Sequence, residues 1–427
     1  MEILLHPEKS DWPQLLQRPY VDNSAVLQSV QQILHGVKTG GDAALVAYAQ
    51  QFDGVQLSAL EVSVEEMEAA AEMLSDELKE AIKQAAANIE AFHSVQISNK
   101  QMVTTMPGIE CWRKSVGIDK VGLYVPGGTA PLFSTVLMLA IPAKLAGCKE
   151  VILCTPSGKD STVHPAILFA ASLTGVARVF KVGGAQAIAA MAYGTETVPA
   201  VYKIFGPGNQ YVTAAKQLAQ MDGVAIDMPA GPSEVCVLAD DSANPAFIAA
   251  DLLSQAEHGP DSQVLLVSIS EALVYKVAEA LEAQLQQLQR RDIAAKALGN
   301  SKAIVVGDTF EAIELVNAYA CEHLILNCYH AETIAEQITN AGSVFIGSYS
   351  PESAGDYASG TNHTLPTNGY ARAYSGVSVD SFVKKITYQK LTREGLEGIG
   401  ATVIAMAEAE GLDAHAEAVR IRLHHNE

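Results

Sequence analysis

VGLYVPGG, residues 121–128, is a β-rich apolar run that ends in a glycine-rich turn, and an apolar helical run to residue 145 follows it. The same alternation recurs at EVILCT (150–155), ARVFKVGG (177–184) and VYKIFGPGN (201–209). Short apolar runs that alternate with Ala-rich helical segments are typical of βαβ units in a parallel sheet. The stretch therefore predicts an α/β fold.

The same rhythm continues through the second half of the chain. A helix is predicted over residues 245–258, with Asn244 as its cap and Pro245 in its first position. Further strands are predicted at 235–238, 263–269, 303–307, 324–328 and 344–347. Residues 24–95 and about the last 50 residues are predicted to be helical, and residues 348–378 form a long loop of the kind that usually carries function.

The composition is that of a globular protein with a large core and an acidic surface. Of the 427 residues 49% are hydrophobic, and 28 basic against 48 acidic residues give a net charge of −20. This excess of negative charge argues against nucleic-acid binding. The apolar stretches are too short to cross a membrane, the N-terminus lacks the features of a signal peptide, and the six cysteines form no CxxC pair. We therefore expect a cytoplasmic protein.

Three glycine-rich turns lie where a predicted strand feeds a helix, at residues 125–128, 182–184 and 205–209. Backbone N–H groups in such turns can approach an anion, which suits the pyrophosphate of a dinucleotide. None completes the G-x-G-x-x-G motif, because Tyr211 stands at the third glycine position of the last turn. Ordinary βα-turn chemistry is therefore an open alternative.

Two pairs of polar residues are candidates for metal binding and proton transfer. Gln255 and His258 share a face in the last turn of the predicted helix, where they could bind a metal or His258 could cap the helix. Glu322 and His323 precede a predicted strand. Imidazole is the natural general base at neutral pH, and a solvated connecting turn is the alternative interpretation.

Further candidates lie in the long loop and near the C-terminus. Asp356 and His363 stand among small loop residues, where they could form a site or bond to their own backbone. Glu410, Asp413 and His415 stand at a break between two predicted helices, and Asp413 is predicted to cap the last helix.

Several longer motifs occur together with these residues. They are DMPAGPSE (227–234), SQAEHGPDSQ (254–263), CEHL (321–324) and SGTNHTLPT (359–367). With the three glycine-rich turns, they closely resemble the histidinol dehydrogenase family over nearly the whole chain. The resemblance implies NAD-dependent oxidation of L-histidinol to L-histidine through L-histidinaldehyde, the last step of histidine biosynthesis. It also implies one zinc ion per subunit, two NAD⁺ used in succession, and a homodimer of intertwined subunits.

The resemblance also implies a role for each candidate residue. The implied roles are catalysis for Glu322 and His323; zinc binding for Gln255, His258, Asp356 and His415; NAD contacts for Tyr124, Gln186 and Asn209; and substrate contacts for Ser233, His363 and Glu410, together with His323 and the four zinc ligands. In the family a C-terminal segment reaches the partner's site, so Glu410 and His415 are expected to complete the active site of the partner subunit.

We expect two Rossmann-like domains with incomplete dinucleotide motifs. Residues 22–124 and 236–377 are predicted to form the first, which carries most of the zinc-binding and catalytic residues. Residues 125–235 are predicted to form the second, which contacts NAD. Residues 1–21 and 378–427 are predicted to form a helical tail used in dimerisation.

Two other enzyme classes fit part of the pattern. An aldehyde dehydrogenase would use Cys321 or Cys236 as a nucleophile, and thiol alkylation would then abolish activity. A zinc hydrolase would need no dinucleotide, so NADH formation from histidinol and NAD⁺ separates it from a dehydrogenase.

Overall fold

The computed structural model describes residues 1–18, 24–98, 100–127, 130–176, 178–229 and 231–425, and it confirms an α/β fold with parallel sheets. The strands in chain order are β1 (Glu2–Leu5), β2 (Gln101–Met106), β3 (Ile109–Gly117), β4 (Lys120–Tyr124), β5 (Glu150–Thr155), β6 (Arg178–Lys181), β7 (Lys203–Phe205), β8 (Ala225–Ile226), β9 (Glu234–Ala239), β10 (Gln263–Ser268), β11 (Lys302–Val305), β12 (His323–Asn327), β13 (Ser343–Ile346) and β14 (Val383–Leu391).

Along the chain, most helices connect successive strands of the two parallel sheets. In chain order they are α1 (Trp12–Leu15), α2 (Ser24–Tyr48), α3 (Val64–Glu72), α4 (Asp76–Ser94), α5 (Phe133–Leu145), α6 (Pro165–Thr174), α7 (Gly184–Tyr193), α8 (Gln210–Met221), α9 (Pro245–Ala256), α10 (Glu271–Leu285), α11 (Arg291–Gly299), α12 (Thr309–Tyr319), α13 (Ala331–Ala335), α14 (Glu352–Tyr357), α15 (Arg393–Ala409) and α16 (Asp413–His424).

Three sheets organise the described residues. Sheet I is parallel, with the strand order β6-β5-β4-β7-β8. Sheet II is parallel, with the order β1-β11-β10-β9-β12-β13. Sheet III is a small antiparallel sheet in which β3 lies between β2 and β14. Both parallel sheets are covered by helices, which explains why their strands are continuous apolar runs.

The N-terminal helices pack on sheet I, which corrects the predicted domain boundaries. The apolar stripe of α2, including Val30 and Val37, belongs to one buried cluster with α7 and α8. Ile82 and Ile89 of α4 pack into the cluster around α5. Residues 24–94 and strand β4 therefore belong with the 125–235 segment and not with 236–377, because their apolar faces are buried there. Strand β1 joins sheet II, so residues 2–5 are not part of a separate helical tail.

Other local predictions are confirmed or corrected by the structure. Asn244 accepts the Ala246 N–H as the expected cap of α9, and Ser63 and Glu66 form a capping box at the start of α3. Sheet III was not predicted from the sequence, because the residues of β14 are mostly exposed and do not alternate between buried and exposed positions. Asp413 is not a cap: it is the first residue of α16, and the capping position belongs to Leu412.

No helix in the described ranges combines the length and the apolar character that a bilayer crossing requires.

Gly206 lies in the turn that directly follows β7 of sheet I. Its φ of +133° lies in the region that favours glycine, and a Cβ atom there would lie 2.0 Å from the carbonyl oxygen of Tyr124. Its N–H donates to Asp227 at 2.8 Å, and its carbonyl oxygen accepts from Lys216 at 2.9 Å. The turn is therefore fixed from both sides.

We expect Gly206→Ala to lower the free energy of unfolding by about 2 kcal/mol or more, since strain and a backbone clash add. Gly223→Ala is the matched control, because Gly223 has a φ of +96° with no heavy atom within 4 Å of the added Cβ. Thermal denaturation followed by circular dichroism measures both. Equal decreases in the melting temperatures would show that the clash with Tyr124 contributes nothing.

Candidate active site

An open cleft of about 1390 Å³ lies between the two parallel sheets. Sheet I contributes its carboxyl edge, where Pro126 and residues 206–209 follow β4 and β7. Sheet II contributes its amino edge, where Ser233 and Glu322 precede β9 and β12. The cleft therefore brings together two of the three glycine-rich turns and polar residues that the sequence places far apart.

Strand pairing explains why the polar residues of sheet II meet. β9 and β12 are neighbours, and His323 pairs with Val235 in the register. Glu234, the first residue of β9, and Glu322, which directly precedes β12, therefore lie side by side. The N–H of Glu234 donates to Glu322 Oε2 at 2.9 Å. The structure thus places Glu322 at the cleft wall with its carboxylate held by the neighbouring strand.

His323 lies behind this wall, 3% exposed. Its Nδ1 is 3.3 Å from the carbonyl oxygen of Glu234 and 3.6 Å from Glu322 Oε2, and its Nε2 is 3.4 Å from Asp356 Oδ1. Burial alone lowers the pKa of His323, but the carboxylates of Glu352, Glu322 and Asp356 outweigh burial and raise the pKa well above its usual value. The ring is therefore oriented at Nδ1 and is surrounded by carboxyl groups.

Three side chains next to His323 are arranged as a possible metal site. One ligand atom each from His258, Glu352 and Asp356 lies within 4.8 Å of the others. Glu352 and Asp356 are four residues apart on α14, so they share a face of that helix. Oxygen and nitrogen donors of this kind suit zinc and other divalent metals.

Gln255 completes this group from the last turn of α9, 1% exposed. With its amide oriented to satisfy its neighbours, the nitrogen donates to the Glu352 carboxylate and the oxygen accepts from the Glu234 N–H at 3.2 Å. Burial raises the pKa of Glu352 to about 8. Burial also acts to raise the pKa of Asp356, but its contact with His323 lowers it overall.

Buried polar atoms in this group have unmet bonding capacity. Asp356 Oδ1 and His323 Nε2 are buried without a hydrogen bond of good geometry. A buried carboxylate needs hydrogen bonds or a counter-charge. The donor set, its excess of negative charge and its unsatisfied atoms therefore fit a bound cation.

The C-terminal candidates, Glu410 and His415, are not part of this group. Glu410 ends α15 and His415 is in the first turn of α16, and both are exposed. In the described part of the chain, neither lines the cleft or joins the group around Asp356. A single chain therefore brings together three of the four expected zinc ligands.

The candidate NAD contacts lie at the carboxyl edge of sheet I. Asn209 lines the cleft and caps α8, accepting the N–H groups of Tyr211 and Val212 at 3.1 and 3.2 Å. Tyr124 and Gln186 are buried behind the turns. The Tyr124 hydroxyl accepts the Gly184 N–H at 3.0 Å, and burial raises its pKa to about 12.

His363, Cys236 and Cys321 are the remaining candidate residues. His363 lines the cleft with its Nε2 3.5 Å from Thr135 Oγ1, and burial lowers its pKa. Cys236 and Cys321 are fully buried, and burial raises the pKa of Cys321 well above its usual value. A thiol in such an environment is a poor nucleophile, so the geometry disfavours cysteine-based aldehyde oxidation.

Two residues that contact the candidate groups, Glu352 and Glu234, were not predicted from the sequence. Glu352 was recognisable, because it stands one helical turn before Asp356. Glu234 follows the serine of the DMPAGPSE motif but gave no signal of its own, because its role depends on strand pairing.

A carboxylate that faces a glycine-rich turn across one cleft, with an imidazole directly behind it, is typical of an enzyme that moves protons next to an anionic ligand. The family model of histidinol dehydrogenase matches residues 16–423, and the chain belongs to this family.

Relatives and a solved structure agree with this assignment. The histidinol dehydrogenase of Bacteroides thetaiotaomicron is 60% identical over 423 residues, which are 99% of each chain. That of Xylella fastidiosa is 57% identical over 397 residues, which cover 93% of this chain and 92% of the relative. The crystal structure of histidinol dehydrogenase from Elizabethkingia anophelis matches with a TM-score of 0.97 and 54% identity, over 99% of this chain and 98% of that one.

Proposed function

We propose that this chain oxidises L-histidinol to L-histidine in two steps at the cleft between sheets I and II, with a zinc ion and two successive NAD⁺ molecules. NAD-dependent oxidation of histidinol, in histidine biosynthesis, is the activity of its family. The observation that carries the two-step proposal is the Glu322–His323 pair, whose carboxylate lines the cleft beside the oriented imidazole.

Gln255, His258, Asp356 and His415 are proposed as the zinc ligands. The proposal is supported by the buried carboxylates, by the unsatisfied Asp356 oxygen and by the absence of thiols from this group of four. When bound, zinc would hold the imidazole and amine nitrogens of histidinol and orient its hydroxymethyl group.

His323 is proposed as the base in both oxidations. In the first, it accepts the proton of the substrate hydroxyl while the adjacent carbon loses a hydride to NAD⁺, which gives L-histidinaldehyde. The Glu234 carbonyl oxygen and Asp356 hold the ring in place for this transfer. Ser233, His363 and Glu410 are proposed to contact the substrate.

Glu322 is proposed to activate water between the two oxidations. It accepts a proton from water as the oxygen attacks the aldehyde carbon, and protonated His323 returns its proton to the carbonyl oxygen, which gives the hydrate and restores His323 as a base. His323 then removes a hydroxyl proton of the hydrate while a second hydride passes to the second NAD⁺, which gives the carboxylate of L-histidine. Tyr124, Gln186 and Asn209 are proposed to contact NAD⁺, with the N-terminus of α8 directed at its pyrophosphate.

We further propose a cytoplasmic homodimer in which Glu410 and His415 complete the partner subunit's site. Their exposure on α15 and α16 supports this arrangement. Sheet III also exposes apolar side chains, among them Met102 and Val103 at 52% and 58%. Apolar surface of this kind is common where chains associate.

Zinc dependence is the first test. We expect a strong chelator to abolish turnover without unfolding the protein, and Zn²⁺ to restore it, because all four ligands are exchangeable nitrogen or oxygen donors. His258→Ala should lose zinc, measured by elemental analysis, and activity together. His35→Ala, on the exposed face of α2, is the control that should keep both. Full activity in verified metal-free protein would refute the zinc proposal.

The division of labour between the two catalytic residues is the second test. Glu322→Gln should release the first NADH at nearly the normal rate and slow the second by roughly 10²–10⁴-fold, the range for a lost general base. His323→Asn should slow both, because each hydride transfer needs a proton removed from oxygen. Single-turnover NADH formation from histidinol measures both phases. Equal slowing of both phases in both variants would contradict the assignment.

Subunit complementation is the third test. Mixing inactive His415→Ala chains with inactive His258→Ala chains should regenerate activity, because one site of the heterodimer would have all four zinc ligands. Mixing each variant with itself is the control. If verified subunit exchange gives no activity, each chain builds its own site.

A further inference from the structure

Arg18 makes the most extensively bonded ion pair near the cleft. Its Nε and Nη2 donate to the two carboxylate oxygens of Glu234 at 2.8 and 2.9 Å, and Nη2 also donates to the Tyr319 carbonyl oxygen at 2.7 Å. The guanidinium carbon lies 4.0 Å from the centre of the Tyr319 ring. Buried Trp12 and Leu16 anchor the segment that carries Arg18 in the core of sheet II.

The partner of Arg18 is the residue that touches both catalytic groups. The backbone N–H of Glu234 donates to Glu322, and its backbone carbonyl oxygen faces His323 Nδ1 at 3.3 Å. Its carboxylate, besides bonding to Arg18, accepts the Asn368 N–H at 2.9 Å. Any displacement of Glu234 therefore moves the acceptor of the histidine and the donor of the glutamate together.

The chemistry of this pair requires arginine. Glu234 is 1% exposed, so its charge is stable there only while a counter-charge and hydrogen bonds replace water. A planar guanidinium can satisfy both carboxylate oxygens, a carbonyl oxygen and an aromatic face at once, whereas an ammonium group cannot. Without Arg18, the Glu234 carboxylate would turn or draw in water, and the start of β9 would shift with it.

We propose that Arg18 is a positioning residue for the oxidation, acting through Glu234 to hold Glu322 and His323 in their working geometry. This inference rests on the proposed function of the Glu322–His323 pair. Arg18 itself touches neither catalytic side chain among the hydrogen bonds of the described residues.

The test compares Arg18→Met and Arg18→Lys with Arg178→Met. Arg178 is a matched control, because it forms the same fork to Glu61, at 2.7 and 2.8 Å, donates to the Thr197 carbonyl oxygen and lies over the Phe180 ring. That pair is on sheet I and is more exposed, at 36% and 37%. Steady-state kcat and KM for histidinol and NAD⁺ are measured on zinc-loaded protein, with melting temperatures for each variant.

We expect Arg18→Met to lower kcat by about 10–100-fold with each KM within about threefold, since the loss is in orientation and not in substrate contacts. Arg18→Lys should recover part of this loss. Arg178→Met should keep kcat within about twofold, a change below the range expected for a lost orienting contact. This pattern supports the proposal, because a merely structural role would affect both arginines alike.

Other results would overturn the proposed role of Arg18. A normal kcat in Arg18→Met, or equal losses of kcat in Arg18→Met and Arg178→Met, shows that Arg18 does not position the pair. If Arg18→Met does not fold, Arg18→Lys decides: a severalfold lower kcat supports the proposal and a normal one refutes it. A wild-type enzyme that forms no NADH from histidinol refutes the proposed function and this inference together, whereas an active wild type with unaffected variants refutes only the inference.

Discussion

The site depends on carboxyl groups that are buried at the amino ends of β9 and β12 and on the adjoining helix α14. Glu234, Glu322 and Glu352 are 1%, 7% and 1% exposed. Each carboxyl group has a specific partner that replaces water: the Arg18 guanidinium for Glu234, a backbone N–H for Glu322, and the Gln255 amide for Glu352. The same bonds also fix the orientations of these side chains, so the partners that make their burial possible also set the geometry of the site.

The opposite wall of the cleft, formed by sheet I, favours an anion. The turn after β7 presents the N-terminus of α8, where backbone N–H groups and the helix dipole favour an anion. Buried Lys216 and Asp227 hold this turn through the carbonyl oxygen and the N–H of Gly206. The cleft therefore separates two tasks, since one wall suits a phosphate and the other suits a cation and a transferable proton.

A feature of this structure could be predicted from the sequence when it depends on residues that are close together in the chain. Most strands of both parallel sheets were predictable, because each is a local apolar run with a turn after it, and the cap at Asn244 is equally local. The short edge strands β1 and β8 were not. The side on which α2 packs was not, since its apolar stripe fits either sheet and only the folded contacts decide. Glu322 and His258 lie in motifs typical of the family, whereas the role of Asp356 was implied only by the resemblance over the whole chain. Arg18 and Glu234 lie 216 positions apart, and no local pattern connects them.

The position of Glu322 before its strand runs against the rule that ligands bind beyond the carboxyl ends of parallel strands. Sheet I obeys the rule, because its turns after β4 and β7 line the cleft. Sheet II offers its amino edge instead, where the first N–H of β9 has no partner in the sheet and is free to donate to a carboxylate. An edge of free N–H groups suits carboxylates for the same reason that a helix N-terminus does. The reversed polarity of sheet II is therefore what lets a backbone N–H bond to the buried Glu322 carboxyl group at the wall of the cleft.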